Sequence, residues 1–120
     1  NAEAAPNLAI TKSVSPVPVT ENGTLTYTFR IQNYGSVAAT NTTGVVITDT
    51  FAPVLNNLTA ALNGTAWTAA TDYTYNEATG TFSSTAGAIT VPAATYTQDS
   101  TTGAWVVTPG ESTLVITGTV

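Results

Sequence analysis

The chain has 120 residues, of which only Lys12 and Arg30 are basic against seven carboxylates, so the net charge is −5. Charged residues are 8 % of the total, against roughly 25 % in an average soluble protein. Two cations cannot neutralise a duplex phosphate backbone, which excludes nucleic-acid binding. The lack of His and Cys excludes a structural zinc site, haem ligation, a thiol nucleophile and a Ser-His-Asp triad.

No apolar run approaches the ~20 residues of a membrane helix, so no membrane insertion is expected. Residue 1 is Asn rather than Met and no signal-peptide pattern follows, which reads as a processed mature chain or an excised repeat. The length suits one domain. The expected division is an N-terminal extension or linker over 1–6 and a single folded domain over 7–120. Thr makes up about a fifth of the residues, well above its usual share. It favours strands sterically and adds a small uncharged hydrogen-bonding group. Soluble monomers ordinarily keep sheet edges from pairing with charges, Lys above all, and this chain has few to deploy.

Apolar residues recur at period two, and no amphipathic helix is expected. The first strand is predicted over Leu8 to Val14, with Leu8, Ile10 and Lys12 on one face and Ala9, Thr11 and Ser13 on the other. Pro16 and Pro18 interrupt it, because proline cannot donate to a ladder. After a turn at Glu21-Asn22-Gly23 comes the clearest strand, Thr24 to Asn33. Leu25, Tyr27, Phe29 and Ile31 form its core face, and Thr24, Thr26, Thr28, Arg30 and Gln32 the other. Gly44 to Phe51 reads as a further strand ending at Pro53. Leu58 to Leu62 and Ala66 to Tyr73 flank the two-residue hairpin signal Asn63-Gly64.

An internal echo follows. Tyr73 to Phe82 aligns without gaps on Tyr96 to Trp105, and both copies read Tyr-Thr-x-Asx-x-x-Thr-Gly-x-aromatic. Asn76 or Asp99 begins each turn by bonding its own backbone, and Gly80 or Gly103 ends it in the left-handed conformation. Both are read as hairpin loops rather than ligand sites. The last strand is Ser112 to Val120, with Leu114, Ile116, Gly118 and Val120 on one side. Eight or nine short strands without helices indicate an antiparallel sandwich.

Leu8-Ala9-Ile10-Thr11-Lys12-Ser13-Val14, Gly23 to Phe29 and Asn33-Tyr34-Gly35 together resemble the repeat domain of prokaryotic cell-surface proteins known as domain of unknown function number eleven. Val46 to Phe51 resembles that family's strand-ending acidic motif, and Pro109 to Leu114 the segment introducing its last strand. The likeness runs in order along nearly the whole chain, apart from an insert-like region from Asn63 to Gly103. It implies an all-β, immunoglobulin-like antiparallel sandwich, often strung in tandem on surface proteins as a stalk, adhesin or envelope component. It also implies an extracellular, cell-surface location, no catalysis and no cofactor.

Several residues are candidates for chemistry. Lys12, the only lysine, lies on the apolar face of the first strand. Surface sandwiches of pilins and adhesins can form Lys-to-Asn or Lys-to-Asp isopeptide bonds assisted by a buried acid, for which Asn33 and Asp49 are the candidate partners. The alternative is a lysine snorkelling at a sheet edge. A glycosidase would need two acids flanking a cleft, yet the carboxylates fall mostly in turns, where such residues cap backbone groups. Calcium would require Asp49, Asp72 and Asp99 to meet backbone carbonyls at one end of the sandwich. Trp67, Trp105, Tyr73, Tyr75 and Tyr96 offer a platform for surface glycans, or else core and cross-strand pairs, a role that suits Trp105 with Phe82. Sequons begin at Asn22, Asn41, Asn57 and Asn63.

Assembly is the remaining feature. In strand complementation an extended peptide completes a neighbour's sheet through main-chain hydrogen bonds, and a head-to-tail contact of this kind does not close. The donor expected is the segment Asn1 to Val14, with Asn7, Leu8, Ile10 and Val14 making the contact. The function expected is therefore a non-catalytic, self-assembling filament subunit. A stalk or adhesin module with neighbouring repeats, or a carbohydrate-binding module, is the alternative.

Overall fold

In the computed structural model the described residues are 6–15, 21–40 and 42–120. Residues 1–5 and the interruption expected at Pro16 and Pro18 lie outside them. The alternation from Thr24 to Asn33 forms β2, which is flanked on both sides by antiparallel partners. On one side runs β1 (Leu8–Ser15), in register from Leu8 opposite Asn33 to Ser15 opposite Thr26. On the other runs β10 (Gly110–Thr119), from Gly110 opposite Asn33 to Thr119 opposite Thr24. Because β1 and β10 both oppose β2, the start of β1 and the end of β10 lie at opposite ends of the sheet. Beyond β10 come β4 (Asn56–Leu62) and β5 (Thr65–Ala66), giving the five-stranded order β1-β2-β10-β4-β5.

A second antiparallel sheet has the order β3-β7-β6, built from β3 (Thr48–Thr50), β7 (Thr81–Ser84) and β6 (Tyr73–Asn76). Both sheets contribute to one core. Leu25, Tyr27, Phe29 and Ile31 of β2 and Leu114 and Ile116 of β10 are buried in the same cluster as Tyr73 and Phe82 of the smaller sheet. Phe51 joins the two layers, its ring centroid 4.5 Å from Tyr27 and 6.1 Å from Phe82. Each large apolar side chain so buried contributes about 1.5–3 kcal/mol. No helix occurs among the described residues.

Local turn chemistry behaves as the sequence predicts. Asn63 and Gly64 take φ of 51° and 83°, the doubly left-handed turn that joins twisted strands without splaying them. In the hairpin of β6 and β7, the Asn76 side chain accepts from the Ala78 N–H and Gly80 has φ 78°. Its echo is the hairpin of β8 (Thr95–Gln98) and β9 (Trp105–Thr108), where Asp99 accepts from Thr101 and Thr102 and Gly103 has φ 73°.

Two expected strands are broken. Only Thr48–Thr50 of the span Gly44 to Phe51 is strand. Gly44 is left-handed at φ 78°, and the Ser84 hydroxyl takes the Ile47 N–H at 2.8 Å, replacing a ladder bond. The span Ala66 to Tyr73 divides into the end of β5 and the start of β6. Between them Ala70 has φ 69° and Asp72 accepts from the Thr68 N–H, which folds a turn. The strands among the described residues number ten, more than expected because of this division.

Candidate functional site

β1 is an edge strand bonded along its whole length, yet its side chains contribute little to the core. Its burial pattern runs from a half-buried Leu8 through seven exposed residues. The register places Ile10 opposite Ile31, Lys12 opposite Phe29 and Val14 opposite Tyr27. Residues directly opposed in an antiparallel pair point to the same face, so Ile10, Lys12 and Val14 face the core side. They remain exposed because the three-stranded sheet does not extend far enough to cover them. Ile10 is 47 % exposed and Val14 38 %. The expected contact residues Asn7, Leu8, Ile10 and Val14 thus lie along one accessible edge.

Between β1 and β3 runs a groove of about 370 Å³ lined by Ile10, Phe29, Val46 and Ile47 and crossed by Lys12 and Asp49. The Lys12 ammonium donates to the Asp49 carboxylate at 2.6 Å and lies 5.1 Å from the Tyr27 ring centroid. Asp49 opposes the buried Phe82 across β3 and β7, so its side chain faces inward from one sheet to meet Lys12 on the other. Of the two isopeptide partners expected, the fold brings Asp49 to Lys12 and leaves Asn33 elsewhere. The Lys12 side chain is 42 % exposed, and amide formation needs a neutral amine in a desolvated setting. The geometry is that of an ion pair stapling two sheet edges.

Asn33 has a different role, which its place at a strand end does not reveal. It is completely buried. Its side-chain oxygen accepts from the Asn7 and Gly35 N–H groups, and its amide nitrogen donates to the Val37 and Pro92 carbonyls. Both donors and both lone pairs are used. This amide ties the start of β1 to the loops that follow β2 and precede β8.

The five aromatic residues do not form one platform. Tyr73 is buried, its ring 5.4 Å from Phe82 and 6.3 Å from Trp67. Tyr75 accepts from the Leu55 N–H and donates to its carbonyl. Burial pushes both hydroxyls above the ordinary tyrosine range. Trp105 is not paired with Phe82, since Phe82 is fully buried while Trp105, 64 % exposed, opposes Gln98. It lies with Tyr96 on the β8–β9 hairpin, where every residue from 95 to 108 is exposed. The Tyr96 hydroxyl donates to the Tyr34 carbonyl and fastens the hairpin base.

Four of the six described carboxylates serve backbone and ion-pair roles. Asp72 and Asp99 cap turns, Asp49 pairs with Lys12, and Glu111 with Arg30 at 2.8 Å. Hydrogen bonds from Thr102 and Thr101 hold Asp99 below the usual carboxylate range, and the Arg30 hydrogen bond does the same for Glu111. Asp49, Asp72 and Asp99 do not converge, and no cluster of three acidic or other metal-binding residues exists among the described residues. Of the sequons, Asn22 and Asn57 are exposed at φ 63° and 53°. Asn63 bonds Thr113 and Ser112 through its side-chain amide, and Asn41 and Glu3 lie outside the described residues. Comparisons of the chain with family models, curated proteins and solved structures find no match.

Proposed function

We propose that this chain is a non-catalytic structural protein of the prokaryotic cell surface, folded as an immunoglobulin-like sandwich, whose copies join into an extracellular filament by donating β1 to a neighbour. The reading of location and fold family rests on the motif order along the chain. The reading of assembly rests on one observation, an eight-residue main-chain ladder whose strand leaves seven side chains exposed. Such a strand loses little apolar burial on leaving its own sheet, and an identical strand from another copy restores the same hydrogen bonds. Residues 16–23 can span at most about 27 Å, which lets the donor's body sit beside the acceptor. Lys12 meeting Asp49 sets the register, since a one-residue slip would turn Lys12 to the opposite face. Open exchange builds a fibre, whereas reciprocal exchange closes a dimer.

A second reading, a stalk module in a tandem array, is favoured by a separate observation. Leu8 and Thr119 lie at opposite ends of the same sheet, which is how a module threads end to end.

The two readings separate through a cysteine pair, because the chain has no cysteine of its own. Ser13 and Thr28 are opposed in the ladder, at a spacing of about 4.5–5.5 Å that a disulfide accepts. After oxidation of assembled Ser13→Cys/Thr28→Cys protein, donation gives a covalent ladder on a non-reducing gel and regular filaments by negative-stain microscopy. Deletion of residues 1–14 then abolishes the filaments. A single monomeric band would overturn donation and leave the stalk reading.

A further inference from the structure

The two main sheets are unequal, five strands against three, and the shortfall has a location. β3 is the end strand of the smaller sheet, and the side chains left bare lie opposite its free edge, on β1. One more strand beside β3 would cover Ile10 and Val14 and fill the groove floored by Phe29 and Ile47. Val46, 43 % exposed, marks the same opening from the β3 side.

The chain also carries a sheet fragment with the opposite defect. The β8–β9 hairpin stands as a two-stranded sheet with both faces exposed, an arrangement marginal in water without further packing. Its register sets Tyr96 opposite Val107 and Gln98 opposite Trp105, so these four side chains share one face. Along β9 the residues are Trp105, Val106, Val107 and Thr108, and neither strand carries a charge.

We infer that the β8–β9 hairpin of one copy docks in the β1–β3 groove of another, with β9 adding to the free edge of β3. Three features select a second copy as the occupant. The four-residue β9 matches the short free edge offered by β3 and its flanking residues. The groove's two charges neutralise each other across its width, so an uncharged strand meets no unpaired ion. Each surface exposes apolar side chains that the other can cover, with Trp105 as the anchor that large aromatic residues supply at interface centres. Hairpin and groove are different surfaces of the same chain, so the contact is heterologous and repeats from copy to copy. It is independent of whether β1 is exchanged.

The test uses full-length Ser13→Cys/Thr28→Cys protein oxidised as a monomer, which holds β1 in its own sheet and removes strand exchange. Failure here is therefore distinguishable from failure of strand donation. In this background the parent protein associates with rising concentration in sedimentation velocity, and its tryptophan emission shifts to the blue as Trp105 is covered. Trp105→Ala and Val46→Asp, both at exposed positions, each weaken self-association at least tenfold. Mixing the two restores a one-to-one complex, because one supplies an intact groove and the other an intact hairpin. Val46→Asp protein that associates like its parent would overturn the inference, as would a parent that stays monomeric at 100-fold dilution steps up to about millimolar concentration, the weak end of specific association. A blue shift produced only by a neutral polysaccharide, with no self-association, would overturn it in favour of glycan binding.

Discussion

Asn33 is the most demanding test of how this fold is held. Replacing it by Ala removes four hydrogen bonds from a side chain with no exposed surface. Each net bond is worth about 0.5–1.5 kcal/mol, and a buried group left unpaired costs about 1–3 kcal/mol. The Gly35 N–H lies in a buried setting, while the Asn7, Val37 and Pro92 groups are partly buried and regain some water. The expected loss is therefore about 3–5 kcal/mol, a large part of the 5–15 kcal/mol typical of a domain. With an unfolding entropy near 2.1 cal/mol/K per residue, a 4 kcal/mol loss in 120 residues lowers Tm by about 16 °C. Thermal and urea melts followed by circular dichroism measure it. Asn33→Asp adds a control with a sign. The carboxylate keeps the two acceptor contacts but faces the Val37 and Pro92 carbonyls, which raises its folded pKa above the unfolded value. The folded state then binds the extra proton, and stability rises as pH falls through that interval. An Asn33→Ala protein within 1 kcal/mol of the parent would refute the argument that this amide organises the β1 end.

Charge reversal at the sheet staple should report on whether β1 is exchanged. Lys12→Asp or Asp49→Lys alone turns an attraction into a repulsion, a swing of about 1–2 kcal/mol that raises the critical concentration for assembly roughly tenfold. Mixing the two variants should restore assembly by light scattering, because each donor then meets an opposite charge in its neighbour; a mixture no better than its components would contradict exchange. A second prediction concerns acid. Asp99 and Glu111 have folded pKa values below their ordinary 3.8 and 4.5. Their contribution is complete above the ordinary values and is lost as pH falls through the lower folded ones. Proton titrations by NMR should show both carboxylates titrating below those values, with Thr101→Pro, which removes one N–H donor, moving Asp99 upward.

Much of the larger sheet was legible because alternation in β2 and β10 runs for a full strand with one face apolar. The hairpin loops were legible too, since Asx and Gly act within four residues of each other. What was not legible depends on distant partners. The shortening of β3 comes from Gly44 and from the Ser84 hydroxyl across the sheet, and no local pattern signals the second. The Lys12–Asp49 contact was in view as one of two pairings, but choosing between Asp49 and Asn33 required the register. Trp105 misled for a related reason. The pattern of a strand in a projecting hairpin is the same as that of a core strand, and only the inequality of the sheets shows which is which.

The polarity of the larger sheet has a mechanical consequence. Tension applied at Leu8 and Thr119 pulls β1 and β10 in opposite directions past β2. The hydrogen bonds lie perpendicular to the strands, so each ladder is sheared and its bonds bear the pull together instead of opening one after another. Resistance to such a pull is set by the rate of rupture and not by equilibrium stability. The eight-residue β1 ladder, uncovered and shorter than the ten-residue ladder of β10, is where the molecule yields first, with Lys12 and Asp49 as the one clasp joining that strand to the opposite layer among the described ion pairs.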